Sequence, residues 1–483
     1  MFNAALFIDG EQVSASNDAT FERLDPVSRA VATRASAASI DDAIRAVNSC
    51  ARAFPNWSQT APVLRRDLLN KAADILEQRQ DDFIEAMIVE TGSTHDWGIF
   101  NCQLAAQILR EAASMTTLIA GEVIPANRPG TMAMATRQAC GVVFSLAPWN
   151  APIILGVRSI AMPLACGNTV VLKASELCPR THSLIGEVFA AAGLPKGALN
   201  IIHTSPEDAP AITEAAISHP VVRRVNFTGS TRVGRMIAQT AARNLKPCLL
   251  ELGGKAPLII LADADIDAAV DAAVFGSFFH QGQICMATER VIVENAIADE
   301  FVEKFVARAG AIVAMDPRHE DCKLGAMISE PAAQRIKGLV SDAVLKGAEL
   351  LTGGRQEGVF VDPIVLDRVT SSMQIYEEES FGPVASIIRV ADREEAISVA
   401  NDTEYGLASA IFSRDVQGAL ELAKQLETGI CHINGPTIYD EPQMPFGGVK
   451  ASGYGRFGGK AAIEEFTELR WITIQSGRGS YPI

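Results

Sequence analysis

The pattern of hydrophobic and polar positions divides the chain into a helical N-terminal part and two later regions of alternating strands and helices. Residues 41–54 and 61–93 repeat apolar positions at helical spacing and are rich in Ala and Leu, with Pro55 and Pro62 as the predicted helix boundaries. From residue 141 onward, short runs rich in Val, Ile and Phe are typical of buried strands.

The two alternating regions predict parallel sheets. Strands are predicted at 141–144, 169–172, 200–203, 221–227, 257–261, 290–293, 385–389, 409–412 and 429–433. Helices are predicted at 154–165, 180–193, 206–217, 231–243, 266–280, 297–314, 331–346, 393–400 and 415–427. Strands that alternate with helices indicate βαβ units with helices on both sheet faces. We therefore expect two α/β domains that join near residue 250.

Three further stretches affect this prediction. Residues 121–136 and the tail after Leu469 look extended, and we expect them to pair as edge strands within the chain or with another subunit. Residues 140–167 are nearly uncharged, but prolines interrupt them, so a buried strand, turn and helix is favoured over a membrane span.

Composition narrows the classes of function. The net charge of −15 argues against nucleic acid or an anionic membrane as the main partner. The nine cysteines are scattered without CxxC spacing, which suits a reducing cytoplasm better than a disulfide framework. The seven histidines lack zinc-ligand spacing, so no metal is predicted. The N-terminus shows no signal-peptide pattern, which also favours a cytoplasmic protein.

Cys285 and Glu251 are the strongest candidates for catalysis. Cys285 ends the run Gln-Gly-Gln-Ile-Cys, and Glu251 precedes Gly-Gly-Lys. A thiolate can bond covalently to a carbonyl carbon, and a carboxylate can activate the water that later releases the product. Most cysteines in a chain like this are buried apolar thiols, so the two residues alone do not establish an active site.

Three turns after predicted strands carry further candidate groups. Gly229 and Ser230 open a helix whose N-terminus could face a pyrophosphate, although the GxxxxG spacing differs from the usual dinucleotide fingerprint. Lys173 and Glu176 could hold a ribose, and the carboxylate would repel a 2′-phosphate, which favours NAD over NADP. The amide of Asn150 could donate to an oxyanion. Each of these is more often an ordinary turn when it stands alone.

Taken together, these motifs resemble the aldehyde dehydrogenase family from near residue 20 to the C-terminus. The motifs occur in the order Asn150, Lys173, Glu176, Gly229-Ser230, Glu251, Cys285 and Glu379-Ser-Phe-Gly-Pro. The resemblance implies an α/β fold with a Rossmann-like NAD-binding domain, a second α/β catalytic domain and a small β oligomerisation element in a homodimer or a pair of dimers. The implied NAD-binding domain comprises residues 1–121 and 141–251, and the implied catalytic domain comprises residues 252–450. The implied oligomerisation element comprises residues 122–140 and 466–483.

The resemblance also implies the roles of single residues. Cys285 would be the nucleophile, Glu251 the general base, and Asn150 would form the oxyanion hole with the Cys285 backbone N–H. The implied NAD-binding residues are Trp149, Lys173, Glu176, Gly229, Ser230, Val233, Gln334, Glu379 and Phe381. An aldehyde would pass through a thiohemiacetal and a thioester before release. The sequence shows no cationic neighbour for Cys285, so backbone dipoles, cofactor charge or Glu251 through water are expected to activate the thiol.

The helix after Asn150 is expected to form a wall of the substrate pocket. The implied substrate-binding residues are Trp97, Arg158, Ile284, Tyr439, Met444 and Phe446. Arg158 falls where many relatives carry an aromatic residue, and a cation amid apolar surface suits an aromatic ring with a polar substituent. The local sequence is most similar to salicylaldehyde and vanillin dehydrogenases, so oxidation of salicylaldehyde to salicylate in aromatic catabolism is expected.

Other interpretations remain open at this point. The substrate could be vanillin, benzaldehyde or an aliphatic aldehyde, the last if Arg158 only forms a structural ion pair. A CoA-acylating enzyme of the same fold is disfavoured by Glu251, and an NADPH-dependent reductase by Glu176. A non-catalytic binding or structural protein on this scaffold would not need Cys285, Glu251 and Asn150 together.

Overall fold

The computed structural model describes residues 1–479 and 481–483, and its helices and strands alternate through most of the chain. The helices are α1 (Ile40–Ser58), α2 (Pro62–Gln78), α3 (Gln80–Thr91), α4 (His95–Met115), α5 (Pro152–Ala165), α6 (Pro179–Ala192), α7 (Ala209–Ser218), α8 (Thr231–Arg243), α9 (Ile266–Phe278), α10 (Asn295–Gly310), α11 (Glu330–Leu345), α12 (Gln374–Glu377), α13 (Arg393–Asn401), α14 (Val416–Ala423) and α15 (Gly459–Glu465). The strands are β1 (Phe2–Ala4), β2 (Leu6–Ile8), β3 (Glu11–Val13), β4 (Thr20–Leu24), β5 (Val31–Ser36), β6 (Glu122–Ile124), β7 (Thr131–Ala139), β8 (Val142–Leu146), β9 (Thr169–Lys173), β10 (Leu199–Ile202), β11 (Val222–Thr228), β12 (Cys248–Glu251), β13 (Ala256–Ile260), β14 (Thr288–Glu294), β15 (Glu349–Thr352), β16 (Gln356–Glu357), β17 (Phe360–Val361), β18 (Ile364–Asp367), β19 (Val384–Val390), β20 (Ala408–Phe412), β21 (Ile430–Ile433), β22 (Gly453–Tyr454) and β23 (Thr467–Gln475).

The first large sheet has the strand order β22-β12-β11-β8-β9-β10-β2-β3. Strands β8 to β12 are parallel to one another, whereas β22 and β2 pair antiparallel at the two sides of this parallel block. The parallel strands begin in the middle of the sheet at β8 and extend to one side through β9 and β10. They then continue on the other side of β8 with β11 and β12. Ligands of open α/β sheets bind where the strand order reverses in this way, at the carboxyl ends of the strands.

The second large sheet has the order β15-β18-β19-β14-β13-β20-β21, and all neighbours are parallel except β15 with β18. Strands β13, β14 and β20 are buried along their whole length. Burial on both faces explains why β13 and β20 are almost entirely apolar, and it places the charged Glu289 and Arg290 of β14 in the interior.

A third, small sheet joins segments from distant parts of the chain. Strand β7 pairs antiparallel with β6 on one side and with the C-terminal β23 on the other. The extended segments predicted near residues 121–136 and after Leu469 therefore pair within the chain. Their role in oligomerisation stays a prediction.

The predicted strands are all present, but several element boundaries differ. Pro55 does not end a helix: α1 continues to Ser58, since Trp57 in the added turn is buried and its packing offsets the backbone hydrogen bond that proline removes. The helix predicted to reach residue 280 ends at Phe278, because His280 and Gln281 have left-handed φ values of 48° and 56°. Helix α4 and strands β1 to β5 and β12 were not predicted.

Among the described residues, no helix combines the length and apolar character needed to cross a bilayer. The uncharged stretch 140–167 instead forms β8 and α5, both fully buried. This outcome agrees with the predicted strand, turn and helix.

The side chain of Asn168 connects the small sheet to the first large sheet. Its Oδ1 accepts from the backbone N–H groups of Cys140 and Gly141, at 2.7 and 3.0 Å, between β7 and β8. Its Nδ2 donates to the carbonyls of Pro163 in α5 and Phe466 before β23, at 3.1 and 2.8 Å. The residue is fully buried, so water cannot replace these four bonds.

We expect Asn168→Ala to lower the free energy of unfolding by about 3 kcal/mol, because it leaves several buried backbone groups without partners. Denaturant and thermal unfolding would measure the change. Asn56→Ala, on the exposed side of α1, is the matched control and should have little effect. Wild-type stability of Asn168→Ala would contradict this account of how the sheets are joined.

Candidate active site

The carboxyl ends of β8, β9 and β11 meet at the strand-order reversal and form a groove of about 690 Å³. Six of the predicted cofactor residues line it: Trp149, Lys173, Glu176, Gly229, Ser230 and Val233. The groove therefore collects side chains that the sequence places in three separate turns.

Lys173 and Glu176 form an ion pair at the end of β9, with 3.1 Å between Nζ and Oε2. Burial tends to raise the pKa of Glu176, but Lys173 and hydrogen bonds outweigh it, so the pKa lies below its ordinary value. The group is therefore a carboxylate at neutral pH. A carboxylate here can accept hydrogen bonds from sugar hydroxyls and repels a phosphate.

Ser230 is the N-cap of α8, and its Oγ accepts from the Val233 N–H at 3.4 Å. Gly229 lies against the Phe227 ring, where a Cβ would come within 2.4 Å of Cζ. The unpaired N–H groups at this helix start, next to a residue with no side chain, suit an anionic group such as a pyrophosphate.

A second cavity, of about 250 Å³, adjoins the groove and shares Trp149, Gly229 and Ser230 with it. Its lining also includes Asn150, Leu155, Glu251, Cys285, Glu379 and Phe381. The three predicted catalytic residues thus meet around one space, although they come from the end of β8, the end of β12 and the loop before β14. This cavity is the candidate reaction centre.

The backbone and side chain of Asn150 are both held in place. Its Nδ2 donates to the Gln283 carbonyl at 3.1 Å, two residues before Cys285. Its own carbonyl accepts from the Trp97 indole N–H at 2.9 Å. Because an amide nitrogen carries two hydrogens, the second N–H of Asn150 is available for an oxyanion beside the cysteine.

Glu251 is buried, and neither carboxylate oxygen has a protein hydrogen-bond partner of good geometry. Burial raises its pKa to about 7, against the opposing influence of Arg158 and the Cys285 thiol. Burial and the Glu251 charge raise the pKa of Cys285 well above its ordinary value. At neutral pH, Cys285 is a thiol and Glu251 is poised to exchange a proton.

Arg158 is a cationic neighbour of this pair, which corrects the expectation that Cys285 has none. Its charge lowers the pKa of both Cys285 and Glu251. It lies on α5, one turn after Leu155, which lines the cavity. The sequence distance between Arg158 and Cys285 conceals this proximity.

Glu379 and Phe381 stand on the side of the cavity that faces the groove. The Gly254 N–H donates to Glu379 Oε1 at 2.9 Å, and the Phe381 ring packs edge-on to Trp149 with 5.8 Å between centroids. Burial and the charge of Glu289 raise the pKa of Glu379 to about 8. This arrangement places a hydrogen-bonding carboxyl group and two rings between the groove and Cys285.

Three of the predicted substrate residues meet at one small cavity of about 20 Å³, which is lined by Arg158, Met444 and Phe446. The Arg158 guanidinium lies over the Phe446 ring, 4.4 Å from its centroid, and forms a buried ion pair with Asp440. Asp440 was not predicted, although an acid next to the named Tyr439 offered a partner for a buried arginine.

Four predicted residues line none of the three spaces described above: Trp97, Ile284, Gln334 and Tyr439. Trp97 and Ile284 are buried behind Asn150 and Cys285, where Trp97 stacks on His280 with 4.6 Å between centroids. Tyr439 is half exposed and donates its hydroxyl to Glu441. Gln334 is exposed on α11, whereas its neighbour Arg335 contacts the segment that carries Glu379.

The raised pKa of Glu251 has a consequence for stability. A carboxyl group whose pKa is higher in the folded than in the unfolded protein binds its proton more tightly in the folded state. The stabilising contribution of this proton to the free energy of unfolding is greatest below about pH 4 and is lost as the pH rises through 7. Glu251→Gln should therefore gain stability over wild type as pH rises from 5 to 8, by at most about 3 kcal/mol. Melting curves across this range would measure the gain, and Glu303→Gln, exposed on α10, is the control. An equal difference at all pH values would show that Glu251 ionises normally.

The chain is similar to known proteins over essentially its whole length. The model of the aldehyde dehydrogenase family matches residues 13–472. A vanillin dehydrogenase of Pseudomonas sp. (strain HR199 / DSM 7063) is 57% identical over 483 residues and covers 100% of both chains. The crystal structure of a salicylaldehyde dehydrogenase from Pseudomonas putida G7, complexed with salicylaldehyde, has a TM-score of 0.98 and 49% identity over 100% of both chains. A betaine aldehyde dehydrogenase from Staphylococcus aureus in complex with NAD+ has a TM-score of 0.95 and 32% identity, covering 99% of this chain and 96% of that one.

These matches extend over essentially the whole chain, and they confirm the predicted fold and the prediction that the protein is an enzyme. The chain belongs to the aldehyde dehydrogenase family.

Proposed function

We propose that this enzyme oxidises an aromatic aldehyde to its carboxylate with NAD as the hydride acceptor, and that salicylaldehyde is the substrate. The observation that carries the proposal is the meeting of Cys285, Asn150 and Glu251 around one cavity that opens into the groove. A nucleophile, an oxyanion donor and a base are the groups that aldehyde oxidation through a thioester requires.

The groove fits NAD. The Glu176 carboxylate, paired with Lys173, can hold the two hydroxyls of the adenosine ribose and would repel the 2′-phosphate of NADP. Ser230 and the start of α8 can hold the pyrophosphate, and Glu379 can hold the second ribose. When bound, NAD supplies the acceptor for the hydride that leaves the aldehyde carbon. The NAD+ complex of the Staphylococcus aureus relative supports this assignment.

The protein's own groups perform the other steps. The Cys285 thiol gives up its proton, and the thiolate adds to the aldehyde carbon. Glu251 can take that proton, since its pKa of about 7 matches neutral pH. The free N–H of Asn150 stabilises the alkoxide that forms. Glu251 releases the thiol proton to solvent and, after hydride loss has left a thioester, takes a proton from water. The hydroxide adds to the thioester carbon, the C–S bond breaks, and the Cys285 thiolate takes the proton from Glu251 as the carboxylic acid leaves.

The wall formed by Arg158 and Phe446 supports an aromatic substrate with a polar substituent. Arg158 presents a cation above the Phe446 ring, and its charge is neutralised in part by Asp440. The salicylaldehyde dehydrogenase with a TM-score of 0.98 supports salicylaldehyde, and the vanillin dehydrogenase with 57% identity makes vanillin the second candidate. Both aldehydes carry a ring hydroxyl.

We also propose a homodimer in the cytoplasm. On the small sheet, Val123 is 75% exposed, Leu469 61% and Trp471 79%, and large apolar side chains exposed on one sheet are typical of a contact with another subunit. All nine cysteines are free, as expected in a reducing compartment.

Cys285→Ala should lower kcat by at least about 10⁴-fold, because no other group can form the thioester. NADH formation followed at 340 nm with salicylaldehyde, vanillin, benzaldehyde and hexanal would test both the mechanism and the substrate class. Cys431→Ala, another partly buried cysteine, is the control and should retain activity. Preference for hexanal would leave the mechanism intact and contradict the proposed role of the Arg158 wall.

Glu251→Gln should stop the reaction at the thioester. We expect one equivalent of NADH per subunit, formed slowly because Glu251 no longer takes the Cys285 proton, followed by negligible turnover, with an acyl adduct on Cys285 in the mass spectrum. Glu303→Gln should turn over normally. Sustained turnover of Glu251→Gln at the wild-type rate would show that another group activates the water.

A further inference from the structure

The segment from Glu378 to Phe381, between α12 and β19, carries two residues that line the Cys285 cavity. Its backbone is bound by charged side chains on both sides. Lys255 and Glu289 contact it from the interior, and Arg335 contacts it from the surface. None of these three side chains lines either cavity.

The interior contact is a buried ion pair. Lys255 Nζ lies 2.5 Å from Glu289 Oε2 and donates to the Glu378 carbonyl at 2.7 Å. The Glu289 carboxylate accepts from the backbone N–H groups of Ser380, at 2.7 Å, and Phe381, at 3.0 Å. Both charged side chains are almost fully buried. A buried pair adds little stability compared with apolar packing, so its value lies in the geometry that it imposes.

The surface contact comes from α11. Arg335 donates to the carbonyls of Glu379 at 2.7 Å and Ser380 at 2.9 Å, and also contacts the Glu378 carboxylate. Together with the ion pair, it binds three successive carbonyls and two successive N–H groups. The segment has no strand or helix hydrogen bonds of its own at these positions, so the charged side chains replace them.

This binding holds an unfavourable conformation. Phe381 has a φ of 49°, in the left-handed region, which costs roughly 1–3 kcal/mol for a residue with a large side chain. Its ring nevertheless packs on Trp149, and the Glu379 carboxyl group reaches Gly254. A relaxed Phe381 backbone would turn both side chains away from the cavity.

We propose that Lys255, Glu289 and Arg335 are positioning residues that act through residues 378–381 to hold Glu379 and Phe381 where they receive the nicotinamide riboside end of the cofactor. The inference rests on the proposed NAD-dependent function. Loss of a positioning residue should weaken cofactor binding and leave the cysteine chemistry largely intact.

Arg335→Met tests the proposal, because Arg335 is exposed and its loss leaves no unpaired buried charge, as Lys255→Met would. We expect the Kd of NADH, from fluorescence titration, and the KM of NAD to rise about tenfold, as for the loss of one or two charge-assisted hydrogen bonds. The kcat and the KM of the aldehyde should change by less than about twofold. Lys337→Met, an exposed cation two residues further along α11, is the matched control.

A double-mutant cycle separates positioning from a general structural effect. In a Glu379→Ala background, Arg335→Met should weaken NADH binding by less than about twofold more, since the main group that it positions is gone. A full tenfold further loss would overturn the proposal, as would unchanged NADH affinity of the single variant. If the wild-type enzyme binds no NADH at all, the proposed function fails and this inference fails with it.

Discussion

The site depends on the close approach of two glycines, one to the nucleophile loop and one to the Glu379 carboxyl group. A Cβ at Gly254 would lie 2.3 Å from the Cys285 carbonyl oxygen, and one at Gly253 would lie 2.7 Å from Glu379 Oε2. The end of β12, which carries Glu251, can therefore lie directly against both the cysteine and the carboxyl group on the cofactor side. Any side chain at either position would separate the base, the nucleophile and Glu379, which belong to different sheets or loops.

Much of the framework could be predicted, because its signals are local. Buried parallel strands are continuous apolar runs, and every predicted strand in the two alternating regions was found. The motif residues after β8, β9, β11 and β12 come together since carboxyl ends of parallel strands share one edge. Asn150 and Glu251 follow strands of this sheet, whereas Cys285 lies in the loop before β14, so the family resemblance alone grouped the three residues and supplied their proposed roles.

What the sequence did not reveal depends on packing between distant elements. The ion pair of Arg158 with Asp440 joins α5 to a late loop, and its only sequence signal is an acid beside the predicted pocket residue Tyr439. Pro55 was assigned as a boundary because proline usually ends helices, but the burial of Trp57 extends α1 past it. Trp97 was assigned to a pocket wall by its position, yet its indole supports the backbone of Asn150. In each case a long-range contact outweighs the local signal.

The small sheet imposes an order on the synthesis of the chain. Thr136 on β7 pairs with Arg470 on β23, and 334 positions separate them along the sequence. At a translation rate of about 5–20 residues per second, β7 waits roughly 20–70 seconds with one edge unpaired before its partner is made. The two large sheets can form during this time, but the small sheet is completed only after β23 has been made. Any subunit contact through the complete sheet therefore follows the synthesis of β23, and until then the nascent chain exposes an open strand edge of the kind that promotes aggregation.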